Sequence, residues 1–176
     1  MRLRRAVKED VERLWEICRG QTAEEFCLWG ADLVYEYPPR LEQMRRRFEA
    51  YSGDAVLFAA ECSGQVVGFA EIGELDSAKK CGVLARVLLE KGRRGKGRGK
   101  ELVNLVLDQA AGTLGLEEVK LIVYAGNLRA QRCYEACGFV RGKALLRPGR
   151  PDAWWMRADL RERRGGSQPS QRLKGV

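Results

Sequence analysis

Residues 83–100, VLARVLLEKGRRGKGRGK, restrict what this chain can fold into more than any other stretch. An apolar run over 83–89, broken by Arg86, meets a turn rich in Gly and Arg. That turn opens into a segment with apolar residues at helical spacing: Leu102, Leu105, Val106, Leu107 and Ala110. The change of period predicts a strand, a length of flexible backbone and the start of a helix. The first N–H groups of a helix have no partner within it, and the aligned peptide dipoles place partial positive charge there. Gly95, Gly97 and Gly99 remove side chains, so an anion can come close to those N–H groups. Arg93, Arg94, Lys96, Arg98 and Lys100 add full positive charge. The chemistry suggested is binding of a phosphate, and more specifically a pyrophosphate. A basic loop that is merely solvated, or that touches nucleic acid, is the competing reading of this segment taken alone.

The common phosphate motifs do not fit. A P-loop needs Gly, four residues, then Gly-Lys-Ser/Thr. Counting back from Gly99-Lys100 puts Arg94 at the first Gly, and Glu101 stands where Ser or Thr belongs. The dinucleotide fingerprint GxGxxG fails because Lys100 occupies the third Gly position. What remains is Arg94-x-x-Gly97-x-Gly99.

Composition narrows the chemistry further. A chain of 176 residues is long enough for one domain with its own core, here expected over 1–160. No run approaches the roughly 20 apolar residues of a membrane span. The basic start, Met1 to Arg5, is followed by charge rather than by the apolar stretch of a signal peptide, so a cytoplasmic protein is expected. The chain has no His, which excludes Ser-His and Cys-His nucleophile pairs. Cys18, Cys27, Cys62, Cys81, Cys133 and Cys137 form no CxxC and, without His, no plausible metal set; reduced, buried cysteines are expected. The net charge of +8 is concentrated in 91–100 and in 161–176. That last segment lacks apolar periodicity and is expected to be a basic, disordered tail, either simply solvated or in weak contact with a polyanion.

Taken in order, residues 2–6 predict a strand, and a helix starts at Lys8-Glu9-Asp10 with Val11, Leu14, Trp15 and Cys18 on one face. Residues 24–48 predict helix in pieces, broken at Pro38-Pro39. Leu41, Met44 and Phe48 form the apolar stripe of the second piece, with Arg45, Arg46 and Arg47 facing outward. Residues 55–61 and 65–73 predict a hairpin around Cys62-Ser63-Gly64, and 83–89 a third long strand. A helix follows, ending near Gly112, and 118–124 returns as a strand. Asn127 is placed to cap a helix over 128–137 that stops at Gly138. Residues 139–143 and 153–160 predict a last antiparallel pair.

Two motifs now stand in strand–helix context. Arg94-x-x-Gly97-x-Gly99 is similar to the Gln/Arg-x-x-Gly-x-Gly/Ala signature of the GNAT superfamily of acetyl-CoA-dependent N-acyltransferases. Asn127-x-x-Ala130-x-x-x-Tyr134-Glu135-x-x-Gly138-Phe139 is similar to that family's second signature and falls at the expected distance. The element order resembles the family's as well. The Tyr- and Pro-rich segment 35–39 and the terminal WWMRADL strand resemble the ribosomal-protein N-acetyltransferase-like branch. The resemblance implies an α/β GNAT fold: a mixed, mostly antiparallel sheet with two splayed parallel central strands, flanked by helices. It implies acetyl-CoA as co-substrate and transfer of acetyl to a primary amine, of a protein N-terminus or a small molecule, by direct attack in a ternary complex. A monomer or homodimer would suffice.

Residue roles follow from the same resemblance. The backbone of Val87, Leu88 and Leu89 would hold the pantetheine amides, and an N–H freed by a bulge would polarise the thioester carbonyl. Arg94, Gly95, Lys96, Gly97, Arg98, Gly99 and Lys100 would hold the pyrophosphate. Tyr134 would protonate the departing thiolate, and helical spacing puts it on a stripe with Ala130, Cys133 and Cys137. Asn127 would contact the cofactor or cap its helix. Trp29, Tyr35 and Tyr37 would line the acceptor pocket or simply pack. Several relatives place a general-base Glu where this chain has Leu84, which leaves Glu71 as the nearest candidate, with a surface carboxylate as the alternative. That gap favours an α-amino acceptor, whose pKa lies near 8 rather than the ~10.4 of lysine, or deprotonation through water. Readings outside this class are a basic RNA- or ribosome-binding module and an acyl-CoA-binding domain without turnover.

Overall fold

The computed structural model describes residues 1–146, 148–149 and 151–165. Seven strands form one sheet: β1 (Arg2–Arg5), β2 (Val56–Cys62), β3 (Gln65–Asp76), β4 (Cys81–Leu89), β5 (Glu118–Tyr124), β6 (Val140–Leu145) and β7 (Ala153–Asp159). Their order is β1-β2-β3-β4-β5-β7-β6. Every neighbouring pair is antiparallel except β4 and β5. Five helices accompany them: α1 (Asp10–Arg19), α2 (Ala23–Leu28), α3 (Leu41–Glu49), α4 (Arg98–Gly112) and α5 (Leu128–Glu135). The mixed, mostly antiparallel sheet with one parallel pair is the architecture expected.

Side-chain periodicity explains the layering. On α4, Leu102, Val103, Val106, Leu107, Ala110 and Ala111 recur every three or four residues and are all buried. They pack on one face of the sheet with Phe58, Ile72, Leu121 and Met156. Full burial of each Leu or Val contributes roughly 1.5–3 kcal/mol, so this face alone outweighs any single polar contact in the molecule. The other face of β2, β3 and β4 is covered by α1 and α3 through Val11, Leu14, Ile17 and Met44, meeting Ala59, Phe69 and Leu88. Helices on both faces explain why β3 reads as an unbroken buried run rather than an alternating one. Arg4 ties β1 to α1 through Asp10, at 2.6 and 2.8 Å.

Two irregularities in the sheet create the site. β4 and β5 pair over only three positions, Cys81, Gly82 and Val83 with Glu118, Val119 and Lys120, and then diverge. Between β3 and β4 the register steps from Phe69 opposite Leu88 to Glu71 opposite Ala85. Arg86 and Val87 together therefore oppose Ala70, a β-bulge, and Arg86 takes the left-handed φ of 50°. The strands run close beside this bulge: a Cβ on Gly68 would lie 2.6 Å from the Leu88 carbonyl oxygen.

The basic segment after the last strand begins with a 3-10 helix, Arg161–Gly165. Arg163 donates to Asp108, Asn104 and the Cys137 carbonyl, at 2.8, 2.9 and 3.2 Å. The rest of the expected tail, 166–176, lies outside the described residues. All six cysteines are free, but only Cys18 and Cys137 are buried; Cys27 is exposed and the others are intermediate, so the expectation of general burial is corrected.

Candidate active site

The glycine-rich turn leads straight into α4. Gly95, Lys96 and Gly97 all take left-handed φ, at 89°, 49° and 77°. This conformation is nearly free for glycine and turns the backbone sharply ahead of the α4 N-terminus. A Cβ at Gly95 or Gly97 would meet nothing within 4 Å, so both positions border open space. Gly99 differs: a Cβ there would lie 3.3 Å from the Cys133 sulfur. Its lack of a side chain lets α5 pack closely against α4, and Gly99 also borders the cleft described below.

The charged residues of this loop divide. Lys96 and Lys100 are exposed beside the turn. Arg98 reaches the Cys62 sulfur at 3.6 Å. Arg94 borders the cleft but is held by protein partners: its Nε donates to the Leu89 carbonyl at 2.9 Å, and its Nη atoms donate to Glu25 at 3.1 Å and to Gln21. The Arg94 side chain thus clamps the loop to α2 and to Gln21 in the turn that precedes it.

Where β4 and β5 diverge, a cleft of two chambers opens. One, of about 510 Å³, is bordered by Val87, Leu88, Leu89, Gly95, Asn127 and Tyr134. The other, of about 600 Å³, is bordered by Arg47, Tyr51, Glu71, Arg86, Val87 and Tyr134. Val87 and Tyr134 border both, so the chambers meet at the bulge and the Tyr134 ring. That ring packs edge-on against Phe139, with centroids 5.7 Å apart and planes at 62°. Burial pushes its phenol up, which keeps the hydroxyl protonated at any working pH. Beside it, the Cys133 thiol is lowered by its neighbour Cys137 and by the positive charges of Arg129 and Lys100.

Asn127 serves as a cap. Its Oδ1 accepts from the Ala130 N–H at 3.2 Å, and its Nδ2 donates to the Leu28 carbonyl at 3.2 Å. Of the aromatics in the connecting segment, Trp29 borders both chambers. Tyr35 is buried in the core, and Tyr37 packs on Phe26 with its hydroxyl on the Gln21 carbonyl.

Glu71 is 2% exposed, which removes the surface alternative. Its carboxylate borders the larger chamber and accepts from Arg86 (Nε at 2.6 Å, and Nη2), from Arg47 at 3.2 and 3.3 Å, and from the Tyr51 hydroxyl. Desolvation works against the charged form, yet Arg86, Tyr51 and Arg47 hold the carboxyl below its usual range. Leu84, at the position of the missing Glu, is 3% exposed in the core. Sequence reasoning missed Arg47, Arg86 and Tyr51. Arg47 was expected to face outward with Arg45 and Arg46, but only those two do so; Arg47, one turn on from Met44, flanks the Leu41–Met44–Phe48 stripe, a position that could not foretell a buried carboxylate on another element. The lone Arg86 inside an apolar strand was the available signal.

The residues present fit an elongated anionic thioester: open glycine backbone at a helix N-terminus, a split between strands, and a protonated tyrosine where the chambers meet. A family model described as "Acetyltransferase (GNAT) family" matches residues 13–139, and the chain belongs to that family. No curated protein matches the chain. Among solved structures, it is similar to spermidine N-acetyltransferase from Vibrio cholerae in complex with CoA and spermine (TM-score 0.76, 20% identity, covering 90% of this chain and 94% of that one). It is also similar to AAC(6')-Ib in complex with ribostamycin and coenzyme A (TM-score 0.76, 21% identity, covering 94% and 96%). At these identities the likeness concerns the fold.

Proposed function

We propose that this protein transfers the acetyl group of acetyl-CoA to a primary amine by direct attack in a ternary complex. The observation that carries the reading is the pair of chambers meeting at Tyr134 and the Arg86–Val87 bulge, with the glycine turn closing one of them. In this reading the N–H groups following Gly95 and Gly97 receive the pyrophosphate, and Lys96 and Lys100 balance its charge. The backbone of Val87, Leu88 and Leu89 carries the pantetheine amides. A backbone N–H of the bulge points to where oxyanion charge develops.

The amine enters from the larger chamber and attacks the carbonyl carbon. The C–S bond then breaks, and the thiolate takes the Tyr134 proton. Glu71, the carboxylate singled out as a base, is already saturated by cations and a hydroxyl, and its lowered basicity suits it to fixing Arg86 and Arg47. The amine proton passes to water instead, which an α-amine near pKa 8 tolerates better than a lysine. Release of free CoA thiol over a panel of primary amines tests the reading. Turnover that depends on the amine is the expected result. Acetyl-CoA binding without turnover of any amine would leave only an acyl-CoA-binding domain, and RNA binding without acetyl-CoA binding would sink the reading altogether.

A further inference from the structure

We propose that the floor of the larger chamber is a carboxylate subsite, so that the acceptor is an amine carrying an acid group, such as an amino acid or the free end of a short peptide, rather than a polycation. This rests on the acetyltransferase reading and adds the chemical class of the acceptor.

The argument starts from charge. Two guanidinium groups, of Arg47 and Arg86, face the single carboxylate of Glu71, and all three side chains border the chamber. Arg86 engages that carboxylate through two nitrogens in the forked geometry that matches it. Arg47 reaches it through Nη2 alone, at 3.2 and 3.3 Å. The Arg47 Nε is buried and has no partner among the described residues. A guanidinium offers five N–H donors in a fixed fork, so Arg47 keeps unmet donor capacity as well as the one positive charge that Glu71 leaves over. The Nε is closed off inside the protein, but the Arg47 side chain keeps 28% of its surface exposed, and an incoming carboxylate supplies a counter-charge and an acceptor to that open edge.

The surroundings hold this group in place. The Arg47 guanidinium lies 6.0 Å from the Tyr35 ring centroid and 5.5 Å from that of Tyr51. Arg86 sits in a left-handed conformation that side-chain-bearing residues rarely adopt, and the bulge that imposes it also carries Val87 at the junction of the chambers. The charged floor thus adjoins the bulge residue at which the two chambers meet. The acidic residues of the same chamber, Asp54 and Glu74, are exposed at its rim, where water screens them. A polyamine would have to set an ammonium against the uncompensated guanidinium in the partly desolvated floor.

The test compares α-amino acids and dipeptides, their C-terminal amides, and spermidine as acceptors, for the natural chain and for Arg47→Met and Arg47→Lys. Glu71 keeps Arg86 and Tyr51 in both variants, and acetyl-CoA affinity controls for folding. The acids are expected to exceed their amides in kcat/KM, and Arg47→Met should shrink that acid-to-amide ratio roughly ten- to a hundredfold, mainly through KM, with partial recovery in Arg47→Lys. Amides or spermidine used as well as the acids, or a ratio unmoved by Arg47→Met, would overturn the subsite and leave the acetyltransferase reading standing. If no amine turns over, that reading fails, and the subsite is judged by titration with N-acetyl amino acids. Binding that Arg47→Met abolishes supports it, and absent or unaltered binding overturns it.

Discussion

Replacing Tyr134 by Phe removes one oxygen and little else. The ring keeps its edge-on contact with Phe139, the packing that holds it in place. Thermal stability should hold. The catalytic loss can be bounded from the leaving group. General acid help typically gives roughly 10²- to 10⁴-fold. A thiol has a pKa of about 8.5, so its thiolate departs at pH 7 with only a mild need for a proton. The lower end of that range applies: kcat should fall by about 10²-fold, near 2.7 kcal/mol of transition-state stabilisation. The acetyl-CoA dissociation constant should barely move. Because burial keeps the phenol protonated, the deficit has a pH signature: it should narrow above about pH 8.5, where the thiolate persists unaided. Steady-state thiol release across pH, paired with calorimetric binding, makes the measurement. A kcat unchanged at pH 7 would refute the acid role. A deficit constant through pH 10 would refute the leaving-group argument and point to positioning.

Other perturbations separate the loop from the scaffold. Gly97→Glu should weaken acetyl-CoA binding about a hundredfold or more, since a carboxylate some 5 Å from a phosphate repels it by roughly 3 kcal/mol at an effective dielectric of 20. Gly97→Ala, whose Cβ meets nothing within 4 Å, should cost only the strain of φ 77° and leave affinity within a few-fold in the same titration. Gly68→Ala should destabilise the fold by roughly 2–4 kcal/mol in urea, because backbone must move to relieve a 2.6 Å contact; a loss under 1 kcal/mol would contradict the close strand approach. Stability should fall in acid. Glu25 is lowered from 4.5 to about 2 by Lys91 and the Thr22 N–H, and Asp10, despite burial, lies below its usual range through Arg4 and the Val7 N–H. Lowered folded-state values contribute stability in full above the unfolded values and lose it as pH falls toward the folded ones. Tm should therefore be flat from pH 7 to 5 and drop between about 4.5 and 2, with Glu25→Gln shallowing the drop.

The elements were legible wherever periodicity and punctuation coincide. The Leu102–Val106–Ala110 spacing, the Gly64 turn and the Gly138 stop each carry a local physical signal, and each element lies within a few residues of its expected place. The glycine-rich turn ahead of α4 was legible for the same reason, because Gly95 and Gly97 take a left-handed backbone that glycine favours. The bulge was not, since Arg86 adopts a positive φ without a glycine to announce it. Nor was the partnership of Arg47, Tyr51, Glu71 and Arg86, which three separate elements bring together. Gly99 looked like a third gap for an anion, yet its neighbour is Cys133, on a helix about thirty residues away in sequence. Local chemistry can be read from a string, whereas coincidence of distant side chains depends on the topology that assembles them.

The clamp formed by Arg94 has a mechanical consequence. It joins the turn ahead of α4 to Gln21 and Glu25, while Asn127 pins the Leu28 carbonyl from the other strand's exit. Directly after the second anchor comes Trp29, whose indole borders both chambers. The wall that Trp29 gives both chambers is therefore tied through one short stretch of chain to the glycine turn and to the start of α5, so the two compartments share a single mechanical support.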